Sequence, residues 1–150
     1  MKCIKVLIAT AEKEIYRGKA SMVIAPSVNG EVAIMPGHAP LLVLLKPGEI
    51  RIDCSLSSED PCNECHVDYM IVLGGYLEVQ SDSLTILADA VERETDIDEA
   101  QAQQAIKQAK QMLKSPNKEK VSRALLDLEL AIAQLSLIRR NSKQSFLKPK

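Results

Sequence analysis

The chain has 150 residues, 46% of them hydrophobic and 3% aromatic, with a formal net charge of −1. That length fits one compact domain, or one domain with an appendage. The aromatic scarcity argues against carbohydrate or single-stranded nucleic-acid sites, which depend on stacking. The near-zero net charge conceals an asymmetry: residues 1–96 hold 8 Lys and Arg against 15 Asp and Glu, whereas residues 97–150 hold 11 against 5. An acidic body with a basic tail can fold back on itself or reach an acidic partner.

Along the first two thirds, short β-type runs alternate with Gly, Pro and Asn. The pattern predicts strands at 3–8, 20–25, 31–35, 49–53, 67–73, 76–80 and 84–88. Asn29-Gly30 reads as a hairpin turn, because both residue types tolerate positive φ. Lys46-Pro47-Gly48 reads as a second turn. The apolar run 39–45 is too short to cross a membrane, and no clean signal-peptide pattern opens the chain. A cytosolic setting with reduced cysteines is expected.

Near residue 92 the period changes from two to 3.6. Asp96 and Glu99 suggest a capping-box start, with Asp98 and Glu99 at the positive end of the helix dipole. Ala102, Ala105, Ile106, Ala109, Met112 and Leu113 then recur at helical spacing, until Ser115-Pro116-Asn117 stops the run. A second helix carries one stripe of Val121, Leu125, Leu128, Ile132 and Leu135, and another of Leu126, Leu130 and Leu137. The first would pack the antiparallel neighbour; the second would cover the β domain or dock elsewhere. This helix is expected to end at Arg139-Arg140, with a frayed basic tail from Asn141. The expected fold is therefore α+β in two parts: an N-terminal antiparallel β-sandwich (1–92) and a C-terminal antiparallel α-helical hairpin (93–150).

One segment stands apart. Cys62-Asn63-Glu64-Cys65-His66 matches the c-type haem attachment pattern, which the lack of an export signal disfavours. Cys54, Cys62, Cys65 and His66 together could make a Cys₃His zinc set. An extended hairpin tip that happens to carry thiols is the other reading. There is no phosphate-binding loop, no nucleophile elbow and no zinc helix of the His-Glu-x-x-His type. Gly74-Gly75 lacks the third glycine and following helix that a dinucleotide requires.

The run from Asn29 through Gly30-Glu31-Val32-Ala33-Ile34-Met35-Pro36-Gly37-His38-Ala39-Pro40 to Leu41 resembles a known signature. That signature, Gly-x-x-Gly-Ile-x-Pro-Gly-His-Ala-Pro-Leu, belongs to the ATP synthase delta/epsilon family. Leu73-Gly74-Gly75-Tyr76-Leu77-Glu78-Val79, Leu87-Ala88-Asp89-Ala90-Val91 and Ile97-Asp98-Glu99-Ala100 resemble further family motifs, in order, across about residues 3–140. The resemblance implies a non-catalytic rotor protein with no cofactor, peripheral on the cytoplasmic face of a bacterial inner membrane. Its sandwich would bind the gamma subunit and the polar loops of the c-ring. Its hairpin would extend among the alpha and beta subunits to inhibit ATP hydrolysis, with neither nucleic-acid binding nor membrane insertion. Glu31 matches the c-ring contact, and Pro36, Gly37, His38, Pro40 and Leu41 lie in the signature near the rotor interface. Arg139 and Arg140 are expected to meet acidic loops of the beta subunits.

His38 could titrate near neutral pH, or be held by hydrogen bonds for shape. Two departures from the family pattern bear on function. Ala33 replaces a glycine, costing about 1 kcal/mol if that site needs positive φ. Gln101 replaces the arginine of the nucleotide-binding motif on the hairpin, and Leu130 and Gln134 stand at the matching second-helix positions, so weak or absent ATP binding is expected. A stand-alone metal- or redox-responsive module, using the cysteine segment, is the alternative function.

Overall fold

Alternation of apolar and polar residues along short strands drives the described residues up to Val91 into a sheet that closes over its own apolar face. The computed structural model describes residues 2–54 and 67–146, the side chains of 94 and 141–146 excepted. The strands are β1 (Ile4–Ala9), β2 (Glu14–Ala20), β3 (Met22–Ser27), β4 (Gly30–Ile34), β5 (Leu41–Leu45), β6 (Gly48–Asp53), β7 (Val67–Val72), β8 (Gly75–Gln80), β9 (Ser83–Ala88) and β10 (Val91–Glu92). Their order is β10-β7-β6-β3-β5-β8-β9-β1-β2, with β4 paired to β3. Every described pairing is antiparallel except β1 with β9, which run parallel.

The core is aliphatic and mostly β-branched. Ile4, Ile8, Val23, Ile34, Ile50, Ile52, Val72 and Ile86 are fully buried, joined by Leu77 and Leu84. Such side chains suit a pleated, packed surface. β1, β6 and β8 alternate strictly between buried and more exposed positions, as a sheet with one face on the core requires.

Three local features differ from the sequence-based expectation. The β3–β4 turn is Val28-Asn29, one residue earlier than expected: Ser27 pairs with Gly30, which alone takes positive φ (120°). Ser27 Oγ drives the shift, donating to the Gly30 carbonyl at 2.6 Å and accepting from Asn29 N at 3.3 Å. The positive-φ hairpin turn lies at Ser81-Asp82 instead (φ 46° and 61°), between β8 and β9. Ala33 sits inside β4 opposite Ile24 at ordinary strand φ, so its replacement of glycine carries no strain.

Residues 92–150 form a second compact unit. After a 3-10 turn at Glu94–Asp96 come α1 (Glu99–Met112) and α2 (Lys118–Phe146). Asp98, not Asp96, caps α1: its Oδ1 accepts from Ala100 N at 2.9 Å and Gln101 N at 3.4 Å. Asp96 is occupied one turn earlier, accepting from Arg93 N. Asn117 caps α2 by accepting from Glu119 N at 3.0 Å, so the break at Ser115-Pro116 ends one helix and starts the next.

The seam between the helices is built differently from the leucine stripe expected. Ala102 and Ala109 on α1, and Ala124 and Ala131 on α2, are buried at seven-residue intervals. Leu125 and Ile132 stay about half exposed, because the alanines, not the leucine stripe, face the neighbouring helix. Nor does α2 stop at Arg139-Arg140. It runs on to Phe146, since 141–146 contain neither Gly nor Pro and Pro149 is the first breaker. Both arginines are therefore exposed mid-helix residues, and the helix-end charge argument does not apply to them.

Candidate functional site

The β5 strand has apolar residues on both faces. Leu41, Val43 and Leu45 turn inward, so Leu42 and Leu44 must turn outward, where they are 70% and 45% exposed. Register extends that outward face across the sheet. Leu44 stands opposite Tyr76, and Tyr76 opposite Leu87, which are 56% and 57% exposed. Glu78 and Thr85 continue the row that starts at Leu42, and Thr85 meets Leu7 on β1. The result is an apolar ridge across β5, β8 and β9, exposed on the outside of the sandwich. Contiguous exposed apolar surface of this kind marks an interaction site.

The backbone of this face is held by glycines at the β7–β8 corner. Gly74 and Gly75 have φ of 113° and 125°, and a Cβ on Gly75 would collide with the Leu87 carbonyl oxygen. Asp89 N donates to Gly74 O, and Leu73 N to Ala90 O. The Leu73-Gly74-Gly75 and Leu87-Ala88-Asp89 motifs, separate in sequence, thus pack directly on one another, and only glycine fits between them.

The residues singled out from sequence fall in two places. Glu31 is exposed on β4 beside the β3–β4 turn, paired with Pro26. Pro36, Gly37 and His38 lie beyond the other end of β4, about 16 Å away at strand rise, and are not brought together with it. Their loop is anchored: Gly37, at φ 81°, donates its N–H to Asp82 Oδ1 at 2.8 Å, and His38 N donates to Met35 O at 3.1 Å. His38 Nδ1 donates to the Ala39 carbonyl at 2.7 Å, a contact that fixes the ring against backbone. Pro40 leads into β5, where Leu41 pairs with Val79. The loop therefore adjoins the β8–β9 turn, at one end of the ridge-bearing sheet.

Sequence reasoning missed Leu42, Leu44, Tyr76 and Leu87. The signal was present in Leu41-Leu42-Val43-Leu44-Leu45: five apolar residues between Pro40 and Lys46 put apolar side chains on both faces of a strand.

Of the cysteine set, Cys62, Cys65 and His66 lie outside the described residues. Among the described residues no cluster of three His, Cys, Asp or Glu could hold a metal. Cys54 is a half-buried thiol at the end of β6, and the Tyr16 hydroxyl lies 3.6 Å from its sulfur. The Tyr16 ring reaches it by lying across Gly18, where a Cβ would be 2.8 Å from the hydroxyl. Burial, then the Cys54 contact, pushes the Tyr16 hydroxyl well above its ordinary range. Burial also raises the Cys54 thiol, against the lowering effect of Tyr16.

The hairpin holds a cavity of about 270 Å³ between its helices, lined by Gln108, Met112, Asp127, Leu130 and Gln134 among others. Gln134 Nε2 donates to Glu92 Oε2. Among the described residues, Asp127 is the only charged one in that lining.

The described elements define an α+β protein in two parts, a β-sandwich that bears an outward apolar ridge and a capped helical hairpin. Residues 3–94 match the family model described as ATP synthase, Delta/Epsilon chain, beta-sandwich domain. A protein named ATP synthase epsilon chain from Acidithiobacillus ferridurans is 42% identical over 147 residues, 97% of each chain. One of the same name from Nitrosococcus oceani is 43% identical over 138 residues, covering 91% of this chain and 93% of its own. The chain belongs to the ATP synthase delta/epsilon family. The fold is shared with a chain of the Euglena gracilis mitochondrial ATP synthase OSCP/F1/c-ring structure (TM-score 0.71, 17% identity, 89% of this chain and 80% of that one). A chain of the Tetrahymena thermophila mitochondrial ATP synthase central stalk and c-ring is similar at TM-score 0.55, with 15% identity, over 89% and 95% of the two chains.

Proposed function

We propose that this chain is a non-catalytic central-stalk subunit of a bacterial F-type ATP synthase. It joins the gamma subunit to the c-ring and restrains ATP hydrolysis through its hairpin, peripheral to the cytoplasmic face of the inner membrane. The observation that carries this reading is the outward ridge of Leu42, Leu44, Tyr76 and Leu87, in a chain of this family. Covering the exposed half of each side chain stabilises a complex by about 1 kcal/mol per residue. The ridge is the gamma-facing surface. The tethered Pro36–His38 loop borders it, and its stiffness limits the entropy lost on docking. Glu31, at the far end of β4, faces the polar loops of the c-ring.

The hairpin is the regulatory element. Its half-exposed Leu125, Leu126 and Ile132 give an extended state new apolar surface to bury among the alpha and beta subunits, while Arg139 and Arg140 meet acidic loops there. Nucleotide affinity is weak, because a triphosphate entering the interhelical cavity meets Asp127 and amides where charge-assisted donors would be needed.

Co-purification with the gamma subunit is the decisive experiment. The unaltered chain is expected to be retained and a Leu44→Asp/Tyr76→Asp variant lost; an unaltered chain with no affinity for gamma refutes the assignment. Deleting residues 93–150 is expected to raise membrane ATPase activity without preventing assembly, and unchanged activity in the assembled enzyme removes the regulatory role. Calorimetric titration with ATP is expected to show no saturable binding at micromolar concentrations.

A further inference from the structure

The outer face that carries the apolar ridge does not end at β9. Register continues it onto β1 and β2, where its chemistry changes from apolar to cationic. Lys5 stands directly opposite Lys19 on β2 and beside Ser83 on β9. Leu7 stands opposite Arg17 and beside Thr85. These six residues line a shallow groove of about 430 Å³. Arg17 is tied to Glu14 by two hydrogen bonds of 2.9 and 2.7 Å, which leaves Lys5 and Lys19 to dominate the local field.

Two features set this margin apart from ordinary solvated surface. Like charges directly opposite on neighbouring strands destabilise a sheet, yet Lys5 and Lys19 are such a pair. Lysines do protect exposed sheet edges, and that role accounts for Arg17 and Lys19 on the terminal strand β2. It does not account for Lys5, because β1 lies between β2 and β9. The stretch of chain that carries them is also of opposite sign, since residues 1–96 hold 15 acidic against 8 basic side chains. A cationic island on an acidic body is local in reach, for charges are screened within about 8 Å at physiological salt.

We propose that the β1–β2 margin is a seat for an acidic segment of the same protein partner that covers the ridge. This rests on the reading of the ridge as the stalk-docking surface. The partner surface it requires carries carboxylates about 16 Å from the Leu87 end of the apolar strip, two strand spacings across from β9 to β2 and four residues along, because Lys5 and Lys19 stand level with Ser83. An anionic bilayer fits less well, because Glu78 stands on the same outer face, beyond Thr85, and a planar charged surface repels it. The carboxylates relieve the Lys5–Lys19 repulsion, so the two lysines favour the bound state and set the orientation in which the ridge docks.

The test is titration of the full-length chain against purified gamma subunit at low and high salt, with thermal melting to verify that each variant is folded. A Lys5→Glu/Lys19→Glu variant is expected to bind about tenfold more weakly at low salt, and to lose most of the salt dependence that the unaltered chain shows. Lys5→Arg/Lys19→Arg is expected to keep both. Leu44→Asp is expected to abolish binding at every salt concentration, which separates the ridge from its margin. If charge reversal leaves affinity and salt slope unchanged while Leu44→Asp still abolishes binding, the seat is refuted and the ridge stands. If the unaltered chain binds no gamma subunit at any salt, the ridge reading fails and the seat fails with it. Lysine-dependent binding to phosphatidylglycerol vesicles, with gamma affinity unchanged by the reversal, would also overturn the proposal.

Discussion

The sandwich and the hairpin solve the burial problem in opposite ways. The sandwich fills its interior with isoleucine, valine and leucine, each fully buried side chain contributing about 1.5–3 kcal/mol. Among its described side chains the hairpin buries Ala102, Ala109, Ala124 and Ala131, which contribute little area each, and a single large one, Leu137. A frame that must keep its shape needs the first arrangement. The second loses less buried area when its seam is disturbed.

The contrast can be broken most severely at the sandwich core. Ile52→Ala removes a fully buried side chain and is expected to cost about 2–5 kcal/mol in urea denaturation. A cost comparable to that of an exposed site would mean that the sandwich is not the rigid partner. Next comes Gly75→Ala, expected to cost about 2 kcal/mol or more, because the added Cβ strikes the Leu87 carbonyl at a positive φ. Gly30→Ala serves as its control. Its φ is also positive, but nothing lies within 4 Å of the new Cβ, so only about 1 kcal/mol of backbone strain is expected.

In the hairpin, Asp98→Ala removes the α1 cap and is expected to cost about 1 kcal/mol. Hydrogen exchange is the readout that sharpens the comparison: protection should fall in α1 while the sandwich strands keep theirs. The smallest effect concerns Tyr16. Its hydroxyl is held above its ordinary value in the folded chain, so the folded state keeps a proton that the unfolded state releases. The associated stability is fully present below about pH 10 and is lost as pH rises further. Cys54 contributes in the same direction, beginning about one unit lower. Tyr16→Phe is expected to shallow the alkaline decline of the melting temperature above about pH 10 while leaving the decline due to Cys54.

Much of the architecture could be read in advance, and the failures are instructive. The strands around Ile4, Ile24, Ile52, Leu77 and Ile86 announced themselves by β-branched residues between turn formers. β2 was missed because Glu14, Arg17, Gly18 and Lys19 make a polar edge strand with weak alternation. β5 was missed because an unbroken apolar run has no period of two. The hairpin stripe was misassigned because leucine carries more hydrophobic weight than alanine in a sequence pattern, although close helix packing favours the smaller residue.

Sequence alone determined what depends on neighbours along the chain: the change from strand to helix near residue 92, the break at Pro116, the corner glycines and the family motifs. Only the tertiary structure decided which side chains share a surface. Leu44, Tyr76 and Leu87 form one ridge, and Lys5 and Lys19 its cationic margin, because strands from distant parts of the chain pair in a particular register. A slip of one residue in that register would turn every such side chain to the opposite face, and no local propensity specifies the choice.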